Sequence, residues 1–200
     1  MKKLSSPCLV AIGSSAGGPP ALAVLLRGLP RSFPAAIVIV QHIDGRMAAG
    51  MAEWLGHHCE LPVRVAAEGD KPTGGQVLIA ATSDHLVLKS SDRLGYTIEP
   101  RELVYRPSVD VFFQSVRRRW RTSAVGVLLS GMGRDGAIGL KALREHGCHT
   151  IAQDEKSSAV YGMPKAAAAI SAAVDVLPMD HIAARLIAVC TRAGNESSEG

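Results

Sequence analysis

The sequence predicts an α/β fold of the doubly wound class, with a mostly parallel sheet, flanking helices and one small antiparallel hairpin. Short apolar runs alternate with segments whose apolar residues recur at helical spacing, which is typical of repeated strand–helix units. The predicted strands are almost continuously apolar, as in a parallel sheet that is covered on both faces. Between residues 62 and 99, brief alternating runs are divided by Gly, Ser and Asp, which indicates short strands and a hairpin.

The elements follow from these patterns in chain order. Strands are predicted at 9–12, 35–40, 62–66, 77–81, 85–89, 96–99, 124–129, 150–153 and 174–177. Helices are predicted around 22–29, 47–55, 109–120, 137–146, 164–172 and 182–189, where apolar residues repeat three and four positions apart. In such a sheet, ligands bind at the carboxyl ends of the strands. Polar residues directly after a strand are therefore the candidates for function.

The composition is that of one folded domain. The chain has 200 residues, of which 47% are hydrophobic and 20% charged, which excludes disordered, collagen-like and coiled-coil classes. We expect a single domain over 1–200, with its core at about 7–190 and a flexible polar tail at 195–200. A net charge of +4 is too small to indicate a nucleic-acid partner.

The four cysteines are widely separated and match no metal-binding spacing. They are Cys8, Cys59, Cys148 and Cys190, which we expect to be reduced thiols in a cytoplasmic protein. No apolar stretch approaches the ~18 residues that a membrane span needs, so we expect no insertion into a membrane. No metal and no cofactor is expected either.

The first predicted strand runs into a glycine-rich turn at residues 13–18, Gly-Ser-Ser-Ala-Gly-Gly. This turn matches G-x-S-x-G with Ser15 at its centre, a strand-to-helix turn that exposes a nucleophilic hydroxyl. The N–H groups at the start of the next helix, at Ala16 and Gly17, would face a developing oxyanion. A phosphate-binding loop or a plain turn is the alternative, although G-x-G-x-x-G and a Walker lysine are absent.

A nucleophilic serine needs a base, and His42 is the best candidate among the seven histidines. It alone leaves the carboxyl end of a strand beside the first one. His85 and His149 are expected near strand starts, at the opposite edge of the sheet.

The third member should be a carboxylate at the same edge, where Asp44, Asp135 and Asp154 follow strands. Asp44 is too close in sequence to His42 to approach its far nitrogen easily. Asp154 follows a late strand, where it would be either structural or a residue at the rim of the site. Asp135 lies in a glycine-dense loop directly after an apolar strand, where the backbone can approach another loop closely. Its alternative role is to cap the next helix.

These residues suggest Ser15 as nucleophile, His42 as general base and then acid, and Asp135 as the group that orients the imidazole. The order Ser, His, Asp along the chain differs from the order Ser, Asp, His of α/β-hydrolases. The serine also follows the first strand, and both facts argue against ordinary α/β-hydrolase membership.

Five segments together resemble the catalytic domain of chemotaxis protein-glutamate methylesterases. They occur in the family's order, and the resemblance covers roughly residues 7–190. The segments are GSSAGG at 13–18, VQH at 40–42, RPSVDV at 106–111, SGMGRDGA at 130–137 and AQDEKSS at 152–158.

The resemblance implies hydrolysis of glutamate γ-methyl esters on the cytoplasmic helical bundle of methylated chemoreceptors, with release of methanol, and often deamidation of receptor glutamines. By position, it assigns the nucleophile to Ser15, the base to His42 and the acid to Asp135. It assigns an oxyanion-side methionine to Met132, acting through its backbone N–H. Ala16 stands where the family often has threonine.

Two charged features leave alternatives open. Arg134, beside the predicted acid, would either meet substrate carboxylates or lie exposed in its loop. The four arginines at 117–119 and 121 form either a solvated helix end or a surface that attracts an acidic receptor.

The family usually carries a receiver domain before the catalytic domain, whereas this chain reaches its first strand by Leu9. We therefore expect no relief of autoinhibition in cis, and a separate response-regulator protein is a candidate partner. Three other functions stay open: a serine esterase or amidase for small molecules, a non-catalytic phosphate-binding module, and an adaptor without turnover.

Overall fold

The structure, a computed structural model, describes residues 7–89 and 92–196. Within these ranges the strands are Leu9–Ser14 (β1), Ala36–Gln41 (β2), Val63–Val65 (β3), Val77–Ile79 (β4), His85–Leu88 (β5), Leu94–Thr97 (β6), Ala124–Leu128 (β7), His149–Gln153 (β8) and Asp175–Leu177 (β9). Seven of them form a sheet in the order β3-β4-β2-β1-β7-β8-β9, in which every neighbouring pair is parallel. Strands β5 and β6 form a separate antiparallel pair.

Helices cover both faces of the sheet. In the described part of the chain they are Gly18–Arg27 (α1), Ala48–Gly56 (α2), Val109–Arg119 (α3), Ala137–Glu145 (α4), Met163–Ala169 (α5) and Met179–Glu196 (α6), with a 3-10 turn at Gly45–Met47. Helices α1, α2 and α6 pack with one set of sheet side chains, and α3, α4 and α5 pack with the other. Alternate residues of β1 enter the two cores, because successive side chains of a strand point to opposite faces.

The predicted fold class is confirmed, including the hairpin. Strand β6 begins at Leu94, two residues before its predicted start. Helix α6 continues to Glu196, so Asn195, expected in the tail, is helical. The remaining tail residues, 197–200, lie outside the described residues.

The order of the strands reverses beside β1. From this central strand the chain first builds the side that holds β2, β4 and β3, and later the side that holds β7, β8 and β9. The carboxyl ends of β1 and β7 therefore form the topological switch point, where sheets of this kind leave a crevice for ligands.

The expectation that His85 lies at the opposite edge of the sheet is wrong. It begins β5, which belongs to the hairpin and not to the seven-stranded sheet. The hairpin packs on α3, and this contact brings His85 to the first turn of that helix, where it bonds the backbone of Ser108. His149 does begin a strand of the main sheet. No helix in the described ranges is long and apolar enough to cross a membrane.

Candidate active site

The three residues predicted for catalysis all follow strands at the carboxyl edge of the sheet, around the switch point. Ser15 directly follows β1 and His42 directly follows β2, while Asp135 lies in the loop between β7 and α4. The backbone hydrogen bond from His42 N to Ser14 O, 3.0 Å long, continues the pairing of β1 and β2 to the start of the site. The common direction of the strands therefore brings together residues that are far apart in sequence.

A sharp turn separates Ser15 from helix α1. Gly17 has φ 77°, in the left-handed region that a residue with a Cβ rarely adopts. A Cβ at this position would also lie 2.7 Å from Ser130 Oγ. Two backbone bonds fix the turn, from Ser15 N to Ser130 O at 3.0 Å and from Gly18 N to Ser15 O at 2.8 Å. The side chain of the half-buried serine hydrogen-bonds to no described residue, so its hydroxyl is available for chemistry.

Gln41 ties the turn to the neighbouring strand. It accepts a 2.6 Å hydrogen bond from Ser14 Oγ at its Oε1 and donates a 2.9 Å hydrogen bond from its Nε2 to Ser15 O. Gly18 leaves room for this amide, since a Cβ there would overlap Gln41 Oε1. The sequence places Gln41 within the VQH segment but does not predict these two hydrogen bonds.

His42 and Asp135 form a buried pair. Nε2 of His42 lies 2.8 Å from Oδ2 of Asp135, and the two side chains are only 9% and 8% exposed. Screening by water is weak at this burial, so the contact orients the imidazole strongly.

The first turn of α3 holds the Asp135 carboxylate. Ser108 Oγ donates to Oδ1 at 2.8 Å, Asp110 N donates to Oδ1 at 3.0 Å, and Val109 N donates to Oδ2 at 2.7 Å. Burial raises the pKa of this carboxyl, but the hydrogen bonds from His42 and from the helix outweigh burial, so the pKa lies below its ordinary value. Asp135 is therefore ionised at neutral pH. It does cap a helix, but the helix is α3 and not the following one, whose N-cap is Gly136.

The second imidazole nitrogen of His42, Nδ1, has no hydrogen-bond partner among the described residues. Among the buried side-chain nitrogen and oxygen atoms of the described residues, Nδ1 of His42 alone lacks a hydrogen-bond partner. Because the ionised Asp135 can only accept a hydrogen bond, Nε2 must donate it, so Nε2 carries the hydrogen and Nδ1 carries the lone pair. The imidazole is thus in the tautomer that accepts a proton at Nδ1.

Tyr105 covers one face of His42 and was missed in the sequence. The two rings are parallel, with centroids 4.5 Å apart and an interplanar angle of 4°. The tyrosine precedes the RPSVDV segment in a loop without regular structure, and no local pattern indicates that this loop returns to the imidazole.

Several backbone N–H groups around the site are unpaired within the described part of the chain, and three of them are at positions singled out in the sequence. Those of Ala16, Gly17 and Met132 donate no hydrogen bond to any described residue. Ala16 follows the candidate nucleophile, the position that supplies an oxyanion donor in serine hydrolases of the G-x-S-x-G type. Met132 belongs to a loop that packs on the turn, because a Cβ at Gly131 would lie 2.8 Å from Ser15 Cβ. Its side chain is 64% exposed, and its backbone N–H is available as a donor.

Ser130 joins the loops around the turn. Its hydroxyl donates to Ala16 O at 2.8 Å and accepts from Val160 N at 3.0 Å. Its own N–H donates to Gln153 Oε1 at 2.8 Å. The buried hydroxyl thus connects the candidate nucleophile turn to the loop before α5.

A cleft of about 570 Å³ lies beside the site, between α4 and α5. Its lining includes Arg134 and Lys165, both exposed, and the 62% exposed Ile138. No acidic side chain is among the residues that line it. The cleft is close to the candidate nucleophile. Gly133 lines it and lies within about 7 Å of Gly131, which packs against Ser15.

In the described ranges, no three His, Cys, Asp or Glu side chains are grouped so that they could hold a metal ion. The site offers instead a hydroxyl, an imidazole with a free lone pair, a buried carboxylate and unpaired N–H groups. These are the parts of a nucleophilic acyl-transfer site.

Comparison with known proteins gives one family. The family model described as CheB methylesterase matches residues 10–186. The chain is 65% identical over 182 residues to protein-glutamate methylesterase/protein-glutamine glutaminase 3 of Burkholderia orbicola, covering 91% of this chain and 54% of the relative. It is 65% identical over 178 residues to the group 3 operon protein-glutamate methylesterase/protein-glutamine glutaminase of Pseudomonas putida, covering 89% and 53%. The chain therefore spans about half the length of these curated relatives.

A solved structure is also similar. The crystal structure of the Thermotoga maritima CheB methylesterase catalytic domain superimposes with a TM-score of 0.86 at 34% sequence identity. The match covers 92% of this chain and 99% of that one.

Proposed function

The chain belongs to the CheB methylesterase family, and we propose that it hydrolyses glutamate γ-methyl esters on methylated chemoreceptors. We assign the nucleophile to Ser15, the general base and acid to His42, and the orienting carboxylate to Asp135. Residues 7–190 act as one catalytic domain in this proposal. The observation that carries it is the free, buried Nδ1 of His42 opposite an Nε2 held by Asp135.

In the first half of the reaction, Ser15 Oγ attacks the ester carbonyl carbon while its proton passes to Nδ1 of His42. Asp135 stabilises the resulting imidazolium through the Nε2 hydrogen bond, and its lowered pKa keeps it ionised throughout. The tetrahedral intermediate then collapses. The bond to the methoxy oxygen breaks, and the His42 proton transfers to that oxygen, so that methanol leaves.

In the second half, water hydrolyses the acyl-enzyme. His42, again neutral, removes a proton from the attacking water, and this proton returns to Ser15 Oγ when the acyl bond breaks. The products are the free serine and a glutamate carboxylic acid, which releases its proton to solvent and becomes a carboxylate. General acid–base catalysis of this kind contributes about 10²–10⁴-fold.

The unpaired N–H groups of Ala16 and Met132 are the proposed oxyanion donors. The negative charge of the tetrahedral intermediate forms on the former carbonyl oxygen, next to the serine. A backbone donor of this kind typically contributes about 10²–10³-fold. The alanine at position 16 does not weaken this role, because the N–H and not the side chain donates.

The same residues suit a second activity, deamidation of glutamine side chains. The similar proteins from Burkholderia orbicola and Pseudomonas putida carry both activities in their names. In the amide reaction, His42 protonates the leaving nitrogen and ammonia replaces methanol. Everything after the acyl-enzyme is identical.

The proposed partner is the helical cytoplasmic region of a chemoreceptor, docked in the cleft between α4 and α5. Arg134 and Lys165 supply positive charge without a neighbouring acid in the lining, which suits a glutamate-rich helix, and Ile138 supplies an apolar contact. We place the reaction in the cytoplasm, where thiols stay reduced; the four cysteines are all free.

The test is methanol release from a methylated receptor fragment, run beside a panel of small esters. We expect kcat/KM for the receptor fragment to exceed that for small esters by at least about 10²-fold, since protein contacts add binding energy in the transition state. Equal or better turnover of small esters would instead favour a small-molecule esterase. Covalent labelling of the protein by a fluorophosphonate would separate both enzymes from a phosphate-binding module.

A further inference from the structure

His85 is a fully buried histidine that the proposed reaction does not use. It is 0% exposed and begins β5, on the hairpin that packs against α3. A buried imidazole must have both nitrogens satisfied or it costs stability, and one of the two partners of His85, the backbone N of Ser108, belongs to the residue that bonds Asp135.

The hydrogen bonds of His85 fix its tautomer. Nδ1 lies 3.0 Å from the backbone N of Ser108, and because an N–H can only donate, Nδ1 must accept. The proton is therefore on Nε2, which lies 3.0 Å from Pro100 O and donates to it. The imidazole is neutral and spans from the loop after the hairpin to the start of α3.

The residue that His85 holds is the one that organises the Asp135 carboxylate. Ser108 is the N-cap of α3, and its hydroxyl donates to Oδ1 of Asp135. The next two backbone N–H groups donate to the same carboxylate. A shift of Ser108 would therefore move three donors of Asp135 together.

We propose that His85 is a positioning residue for catalysis, which acts by fixing Ser108 and, through it, the Asp135 carboxylate that orients His42. The proposal rests on the proposed function of these residues. It makes four residues a hydrogen-bonded series from the hairpin to the imidazole, in which His85 bonds the backbone N–H of Ser108, the Ser108 hydroxyl bonds Asp135, and Asp135 bonds His42.

Two substitutions of nearly equal shape test the Nδ1 acceptor. In His85→Asn the side-chain oxygen can occupy the place of Nδ1 and accept from Ser108 N, whereas in His85→Leu that N–H is left buried without a partner. We expect His85→Leu to lower kcat about 10–100-fold, since a small misplacement in a triad has effects of this size. We expect His85→Asn to recover most of this loss, and KM to change little in both variants, because neither touches the substrate.

His149→Leu is the matched control. His149 also bonds an aspartate, Asp175, at 2.7 Å. It is the first residue of β8, at the end of the strand opposite the site. This variant should keep the wild-type kcat.

The labelling rate of Ser15 by a fluorophosphonate is measured on every variant, because it reports activation of the serine without a receptor substrate. If the wild type labels but releases no methanol, the methylesterase function fails, while the labelling rates still decide the role of His85. A folded His85→Leu with wild-type kcat and labelling would overturn the proposal, and so would equal losses in Leu and Asn.

Where His85→Leu does not fold, His85→Asn is compared with His85→Gln, whose amide reaches Pro100 rather than Ser108. Higher activity in Asn supports the proposal, and equal or lower activity refutes it.

Discussion

The phenol ring of Tyr105 lies flat on the imidazole of His42, with centroids 4.5 Å apart and planes within 4° of parallel. The hydrogen bond to Asp135 holds only Nε2, so the imidazole ring could still tilt about that bond. The stacked phenol ring restricts this tilt. The phenol hydroxyl is not part of the contact, because the stacking involves the rings.

Tyr105→Ala should therefore lower kcat about 10-fold by letting the imidazole leave its reactive orientation. Tyr105→Phe keeps the ring and should stay within about 2-fold of wild type. Steady-state methanol release measures both. Equal losses in the two variants would show that the hydroxyl matters and that stacking is the wrong explanation.

Asp135→Asn should reduce kcat by about 10³–10⁴-fold, as an amide in the equivalent role does in serine proteases. The amide carries no charge to stabilise the imidazolium, and its NH₂ group would face hydrogen-bond donors at the start of α3, the Ser108 hydroxyl and two backbone N–H groups. The measurement is kcat with the receptor fragment, with the circular dichroism spectrum as the check on folding. A loss of less than about 10-fold would remove Asp135 from the mechanism.

The same carboxylate should make stability depend on pH. Its folded pKa lies below the unperturbed value of 3.8, so its contribution is fully present above that value and is lost as the pH falls through the lower folded pKa. The free energy of unfolding of the wild type minus that of Asp135→Asn should thus become smaller as the pH falls below about 4. Urea titrations across this range measure it. A difference that grows on acidification would contradict the assignment.

We expect Lys165→Glu to weaken binding of the receptor fragment, because Lys165 lines the cleft in which the receptor is proposed to dock. Reversing this charge should raise KM several-fold, about 5-fold at low salt and less at high salt, because salt screens the attraction. Lys141→Glu is the control, since Lys141 is exposed on α4 but does not line the cleft. Identical KM values for the two variants would place the receptor elsewhere.

Much of this architecture is predictable because it depends on local patterns. Apolar periodicity predicts each strand and helix of the main sheet, and the parallel arrangement then puts Ser15, His42 and Asp135 at one edge without any knowledge of contacts. The glycine-rich turn predicts its own sharp geometry, which Gly17 adopts.

The missed residues depend on packing between distant segments. Tyr105 reaches His42 because an irregular loop crosses the site, and His85 reaches Ser108 because the hairpin packs on α3. Neither position follows a strand of the main sheet, so the rule that found the three candidate catalytic residues could not find these two. Asp135 shows the same limit, since its position was predicted but its attachment to α3 was not.

The proposed reaction depends above all on the assignment of Ser15 as the nucleophile. Its most direct test is methanol release from a methylated receptor fragment by wild type and Ser15→Ala, measured side by side with matched circular dichroism spectra. We expect release by the wild type and a loss of about 10⁴–10⁶-fold in the variant, the size seen when a serine hydrolase loses its nucleophile. Near-normal release by a folded Ser15→Ala protein would contradict the account.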